Sequence, residues 1–235
     1  MTDKHISSQF DAELRDVSSR VLQMGGLAES QVAQAMYALV HFSGETATQV
    51  LQQENRINQM EVEIDTRMQQ IIAMRQPAAG DLRLLIAISK ATANLERVGD
   101  EAARVARTVQ RLINGGVSSR LRLPVADLQY ECDLATAQLR KALDAFARMD
   151  ANAALDVLKN DDQIDQEFDG LLRKLVTYMM EDPRTISSSI DLVFVAKAIE
   201  RIGDHAKNLA ESVIYVVKGT DVRHVSVPDV EKAVR

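Results

Sequence analysis

Two pairs of carboxylates stand out for their spacing. Glu96 and Asp100 lie four residues apart, as do Glu200 and Asp204, which puts each pair on one face of any helix that carries it. Like charges at that spacing weaken a helix by a few tenths of a kcal/mol. Each pair also encloses a glycine, Gly99 or Gly203, which costs up to about 1 kcal/mol inside a helix. An unfavourable combination that occurs twice asks for a compensating partner. Further acids supply the material for one: Glu54, Asn58, Glu61 and Asp65 form a four-three-four stripe, and Asp161, Asp165 and Asp169 form a second stripe. Were each stripe to lie antiparallel beside its Glu/Asp pair, two oxygen-only clusters would face outward, suited to hard cations such as Mg²⁺, Mn²⁺ or Ca²⁺ and also to iron. No Glu-x-x-His occurs, so the His-assisted di-iron site of helical bundles is not expected. The competing reading is a solvated acidic face on each long helix, with Arg97 and Arg201 as internal counter-ions.

The elements that position these groups are helices. In 235 residues there are only ten Gly and four Pro, while Ala, Leu, Gln, Arg and Glu are abundant. Pro77, Pro124, Pro183 and Pro228, with Ser43-Gly44, Gly115-Gly116 and Asp150-Ala151-Asn152, mark breaks, and Asp150 is suited to cap the helix after it. Six long helices are expected, over about residues 5–43, 45–75, 79–114, 125–149, 151–181 and 185–218, followed by a poorly structured tail at 219–235. Gly25-Gly26 is a candidate kink or close-packing point. Leu84, Ile88, Ala91, Leu95, Val98, Ala102, Val105, Val109 and Leu112 alternate spacings of four and three, and Leu192, Val195, Ile199, Ile202, Ala206, Leu209, Val213 and Val216 repeat the pattern. Such a 3.5-residue period predicts knobs-into-holes packing in antiparallel bundles, with the Glu/Asp pairs projecting away from the seam.

The chain is duplicated. Residues 94–107 (NLERVGDEAARVAR) match 198–211 (AIERIGDHAKNLAE) at six of fourteen positions. Glu54-x-x-Ile57-Asn58 matches Asp161-x-x-Ile164-Asp165 at an offset of 107, and Pro77 matches Pro183 at 106. Near-constant offsets predict two pseudo-symmetric three-helix units, 1–117 and 118–218.

The repeated Glu-Arg-(Val/Ile)-Gly-Asp, with Arg75-Gln-Pro77 and Asp81-Leu-Arg83, Asp144-Ala-Phe-Ala-Arg-Met-Asp150, Tyr178-Met-Met-Glu-Asp182 and Arg223-His-Val225, resembles the PhoU family over nearly the whole chain. The resemblance implies an all-α protein of two tandem antiparallel three-helix bundles that commonly dimerises. It implies a non-enzymatic adaptor between a phosphate-specific ABC transporter and a membrane sensor histidine kinase, restraining the phosphate-starvation response when phosphate is plentiful. It also implies multinuclear metal clusters, of Mg, Mn, Fe or Zn ions, on paired Glu/Asp-x-x-x-Asp motifs. Carried over by position, the ligands are Glu54, Glu96 and Asp100 in the first half, with Asn58 where the pattern expects Asp, and Asp161, Asp165, Glu200 and Asp204 in the second. The weaker amide ligand at Asn58 predicts a weaker first-half site. The alternative is a metal-binding bundle with a storage or metal-assisted hydrolytic role.

Composition narrows the remaining classes. The net charge of −6 argues against nucleic-acid binding. Apolar runs such as Leu84–Ile88 fall far short of the ~20 residues that span a bilayer, and residues 1–15 lack a signal-peptide core, so a cytoplasmic protein is expected. Cys132 is the only cysteine and is expected to be a buried, inert thiol. His205, beside the carboxylate row and matched by Glu101 in the first half, is expected to support the site rather than ligate. The absence of a Gly-x-x-x-x-Gly-Lys loop argues against nucleotide binding.

Overall fold

The computed structural model describes residues 8–116 and 124–235. The expected first residues of the opening helix and the boundary at 117/118 lie outside the described residues. Eight α-helices are found among those described: α1 (Ser8–His41), α2 (Gly44–Arg75), α3 (Ala79–Asn114), α4 (Val125–Arg148), α5 (Ala151–Lys159), α6 (Asp162–Glu181), α7 (Ile186–Lys218) and α8 (Val227–Val234). A 3₁₀ turn, Pro183–Thr185, separates α6 from α7.

Local chemistry sets the joints. Ser43 Oγ accepts from Thr46 N at 3.2 Å to cap α2, and Asp150 Oδ1 accepts from Asn152 N and Ala153 N, both at 3.0 Å, to cap α5. The single helix expected over 151–181 is instead two. Around Asn160 the backbone tightens to three-residue bonds, Asn160 N to Val157 O and Ile164 N to Asp161 O, while the Asn160 side chain donates to Asp156 O at 2.6 Å. The tail is also ordered, against expectation. Pro228 sits in the first turn of α8, where its missing N–H costs nothing, and Val222, Val230 and Val234 are buried.

α1, α2 and α3 pack together, as do α4, α5, α6 and α7, and the halves meet where α3 lies on α7 and α1 on α4. α3 and α7 run antiparallel: Arg111 meets Asp191, Glu101 meets Arg201, and Lys90 stands over the Tyr215 ring. The heptad residues form the core: from Ile88 to Leu112 in α3 and from Leu192 to Val213 in α7 all are buried, with Leu84 packed at its margin. Burial of each large aliphatic side chain contributes roughly 1.5–3 kcal/mol. Gly25 sets the approach of α1 to α4, since a Cβ there would overlap the Leu143 side chain.

The two repeated glycines hold helices close in the same way. A Cβ on Gly203 would lie 2.7 Å from Ile164 Cδ1, and one on Gly99 would lie 3.1 Å from Ile57 Cδ1. Ile57 and Ile164 are themselves equivalent in the repeat. Each glycine is therefore the socket for an isoleucine from the acid-bearing helix, which fixes the stripe beside the Glu/Asp pair.

Candidate functional site

In the second half the structure brings the four expected carboxylates into one electrostatic neighbourhood. The tight turn before α6 aims Asp161 inward, where it is buried; its Oδ1 accepts from Gln138 Nε2 at 3.1 Å and its Oδ2 from Lys207 Nζ at 2.5 Å. Glu200 Oε1 accepts from Lys197 Nζ at 2.6 Å, while its Oε2 is buried with no hydrogen-bond partner. Asp204 is pushed up to about 6, first by desolvation and then by the negative charges of Glu200, Asp161 and Asp165. Asp165 is raised for the same reasons, burial first, then Asp161 and Glu200.

The expected outward projection holds only for part of this set. Asp204 is exposed, but the Glu200 side chain is only 12% exposed. α7 is covered by α3, α4, α5 and α6, so residues flanking its seam are buried as well. Arg201 is also not the internal counter-ion of its neighbours: its Nη1 reaches across to Glu101 Oε1 at 3.2 Å.

A further acid belongs to this neighbourhood. Glu131 of α4 is 1% exposed, neither carboxylate oxygen has a hydrogen-bond partner, and its carboxyl is pushed up to about 8 by desolvation, then by the charges of Glu200 and Glu167. At neutral pH it is largely protonated. The 107-residue offset places Met24 at this position in the first half. Sequence reasoning missed Glu131, although it stands among the core positions Leu128, Ala135 and Leu139 of α4, where a charged residue is out of pattern.

The first half is built differently. Glu96 is raised by burial and by the charges of Asp100 and Glu61, and Glu61 by burial and by those of Asp65 and Asp100. Glu54 is not in this group. Both its oxygens accept from Arg107 Nη2, at 2.6 and 2.8 Å. Asn58 is half-buried and brings no charge. The acid that faces the Glu96/Asp100 pair is thus Glu61, a later member of the stripe, with Asp65 beside it, where the second half has Phe168 and Leu172.

Among the described residues no three His, Cys, Asp or Glu side chains converge closely enough to hold an ion. The second-half set nevertheless fits a hard cation in its chemistry: its donors are carboxylate oxygens, and unpartnered oxygens of Glu131 and Glu200 lie buried beside it. The ammonium groups of Lys207 and Lys197 neutralise two of its members. Cys132 is buried and its thiol pushed up to about 12, mainly by desolvation, so it stays protonated and unreactive. His205 stands off the carboxylate row; its Nδ1 lies 3.0 Å from Asn94 Oδ1 across the α3–α7 interface, and burial with the charges of Arg97 and Arg201 pushes it down to about 4.

The PhoU domain matches this chain twice, at residues 21–109 and 131–213. The chain belongs to the PhoU family. It is 49% identical to the phosphate-specific transport system accessory protein PhoU homolog of Pseudomonas aeruginosa, over 98% of this chain and 94% of that one. It is 42% identical to the accessory protein PhoU of Escherichia coli (strain K12), over 98% and 94%. The crystal structure of PhoU from Pseudomonas aeruginosa superposes with a TM-score of 0.83 over 90% of this chain and all of that one. The phosphate transport system regulatory protein PhoU from Streptococcus pneumoniae, 27% identical, also gives 0.83, over 91% and 99%. Each PhoU match carries one of the repeated Glu-Arg-(Val/Ile)-Gly-Asp segments and the acidic stripe that its glycine-isoleucine contact holds in place.

Proposed function

We propose that this protein is the accessory regulator of a phosphate-specific transport system. It couples the ATPase subunit of a phosphate ABC transporter to a phosphate-sensing membrane histidine kinase, and restrains phosphate uptake and the phosphate-starvation genes when phosphate is abundant. The observation that carries this reading is identity of 42–49% with transport-system accessory proteins over nearly the full length of both chains. Among the described residues no helix is long and apolar enough to cross a membrane. In this reading the chain works in the cytoplasm, meets the membrane through its partners, and acts as a homodimer without chemistry of its own. Divalent ions on the acidic faces, held by Asp161, Asp165, Glu200 and Asp204 and more weakly by the Glu96/Asp100 group, bridge those faces to other anions. A clean deletion, in a strain with no second copy, tests the reading: starvation-gene reporters are expected to stay on in rich phosphate, and normal repression would refute it.

A further inference from the structure

The pseudo-twofold axis of the repeat passes between α3 and α7 near Gly99 and Gly203, and it relates Arg97 to Arg201 and Glu101 to His205. On one side of the axis Arg201 finds its acid, Glu101, at 3.2 Å. On the other side the acid is replaced by His205, and Arg97 is exposed, with no hydrogen bond or ion pair among the described residues. The same scaffold therefore offers a second arginine without its carboxylate.

The space in front of Arg97 is a cleft of about 680 Å³ that continues into a neighbouring one of about 510 Å³. Arg223 lines both parts. Its Nε and Nη2 are engaged by Asp221, at 3.0 and 2.5 Å, and its Nη1 is unbonded. Asn208 donates to Asn94 Oδ1 at 3.2 Å, fixing the wall between the two arginines. Of the acids on the cleft, Glu101 is paired with Arg201 and Arg104, Asp221 with Arg223, and Glu211 faces the charges of Lys207 and Arg223, while Asp204 of the second-half carboxylate set lines its edge. Arg97 feels the charges of Glu61 and Glu96 but makes no direct ion pair with either among the described residues.

We infer that the α3–α7 cleft binds a tetrahedral oxyanion, which serves Arg97 as Glu101 serves Arg201 on the other side of the axis. A guanidinium presents paired N–H donors matched to the oxygens of a phosphoryl group. The ligand chemistry is inorganic phosphate or the terminal phosphoryl group of a phosphate ester. The cleft borders the second-half carboxylate set through Asp204 and Lys207, but the proposal rests on Arg97 and not on the transporter reading; its test uses purified, metal-free protein, so either can fail without the other.

The experiment is calorimetric titration of the metal-free full chain with inorganic phosphate, with glycerol 3-phosphate and with sulfate at fixed ionic strength. The wild-type protein is expected to bind phosphate or the ester. Arg97→Gln is expected to weaken that binding at least tenfold with an unchanged melting temperature, and Arg97→Lys to restore part of it. His205→Glu, which recreates the Arg201–Glu101 pair on this side, is expected to abolish binding while keeping the fold. Phosphate binding without ester binding identifies the free ion; ester binding without phosphate identifies a phosphorylated metabolite. No heat with any of the three anions, or equal binding by wild type and Arg97→Gln, overturns the proposal.

Discussion

Replacing Glu131 with Gln is expected to make the protein more stable at pH 8 and to leave it nearly unchanged at pH 5. The carboxyl goes from an ordinary value of 4.5 in the unfolded chain to about 8 in the fold, through burial first and the charges of Glu200 and Glu167 second. Between these values the native state holds one more proton than the unfolded state, so stability falls as pH rises, by about 1.4 kcal/mol per pH unit. Over the whole window the loss approaches ~5 kcal/mol; relaxation of the α4–α7 packing on ionisation brings the expected figure to about 3–5 kcal/mol. Gln keeps the size of the neutral acid and cannot ionise. The assay is urea unfolding of metal-free wild type and Glu131→Gln at pH 5, 6, 7 and 8. The two curves are expected to coincide within about 1 kcal/mol at pH 5 and to separate by several kcal/mol at pH 8. The difference between proteins cancels the contributions of Asp204 and Asp165. Parallel pH dependence in both would refute the assignment of a buried, protonated carboxyl at position 131.

Gly203→Ala is expected to destabilise, because its Cβ would lie 2.7 Å from Ile164 Cδ1; overpacking costs about 1–3 kcal/mol against about 1 kcal/mol gained in helix propensity. Adding Ile164→Val removes the clashing methyl, and the double variant should melt at or above the single one. Asp161→Asn is expected to cost about 2 kcal/mol by breaking the charged bond to Lys207, and to abolish divalent binding to the second half in calorimetry. Glu54→Gln is expected to cost under about 1 kcal/mol, since the Arg107 side chain is half exposed, and to leave divalent binding unchanged, since Arg107 holds Glu54 apart from the Glu96/Asp100 group; a loss of metal equal to that of Asp161→Asn contradicts this placement.

The sequence pattern carried the fold a long way because the 3.5-residue seams of α3 and α7 are buried from Ile88 to Leu112 and from Leu192 to Val213, which commits both helices to the core. It failed where the determinant was not periodic. Lys159-Asn160-Asp161 lacks Gly and Pro, the breakers that mark most of the other joints; the turn comes from the Asn160 side chain competing for a helical carbonyl, and its consequence, an inward Asp161, is tertiary. α8 was hidden because Pro228 reads as a breaker until it is recognised as a first-turn residue. For the site, spacing singled out both Glu/Asp pairs and the second-half stripe, of which Asp161 and Asp165 lie near Glu200 and Asp204 while Asp169 is exposed. It could not tell that Glu54 lies within reach of Arg107, nor that Glu61 faces Asp100 instead, because both acids share one helix face. Glu131 was legible as a misfit in the α4 period.

The most direct test of the regulatory account is affinity capture of the full chain from membranes of phosphate-replete cells, with captured proteins identified by mass spectrometry and bound metals measured in the same eluate. The account predicts recovery of both the transporter's ATPase subunit and the phosphate-sensing histidine kinase; capture of the folded chain with neither of them would contradict it.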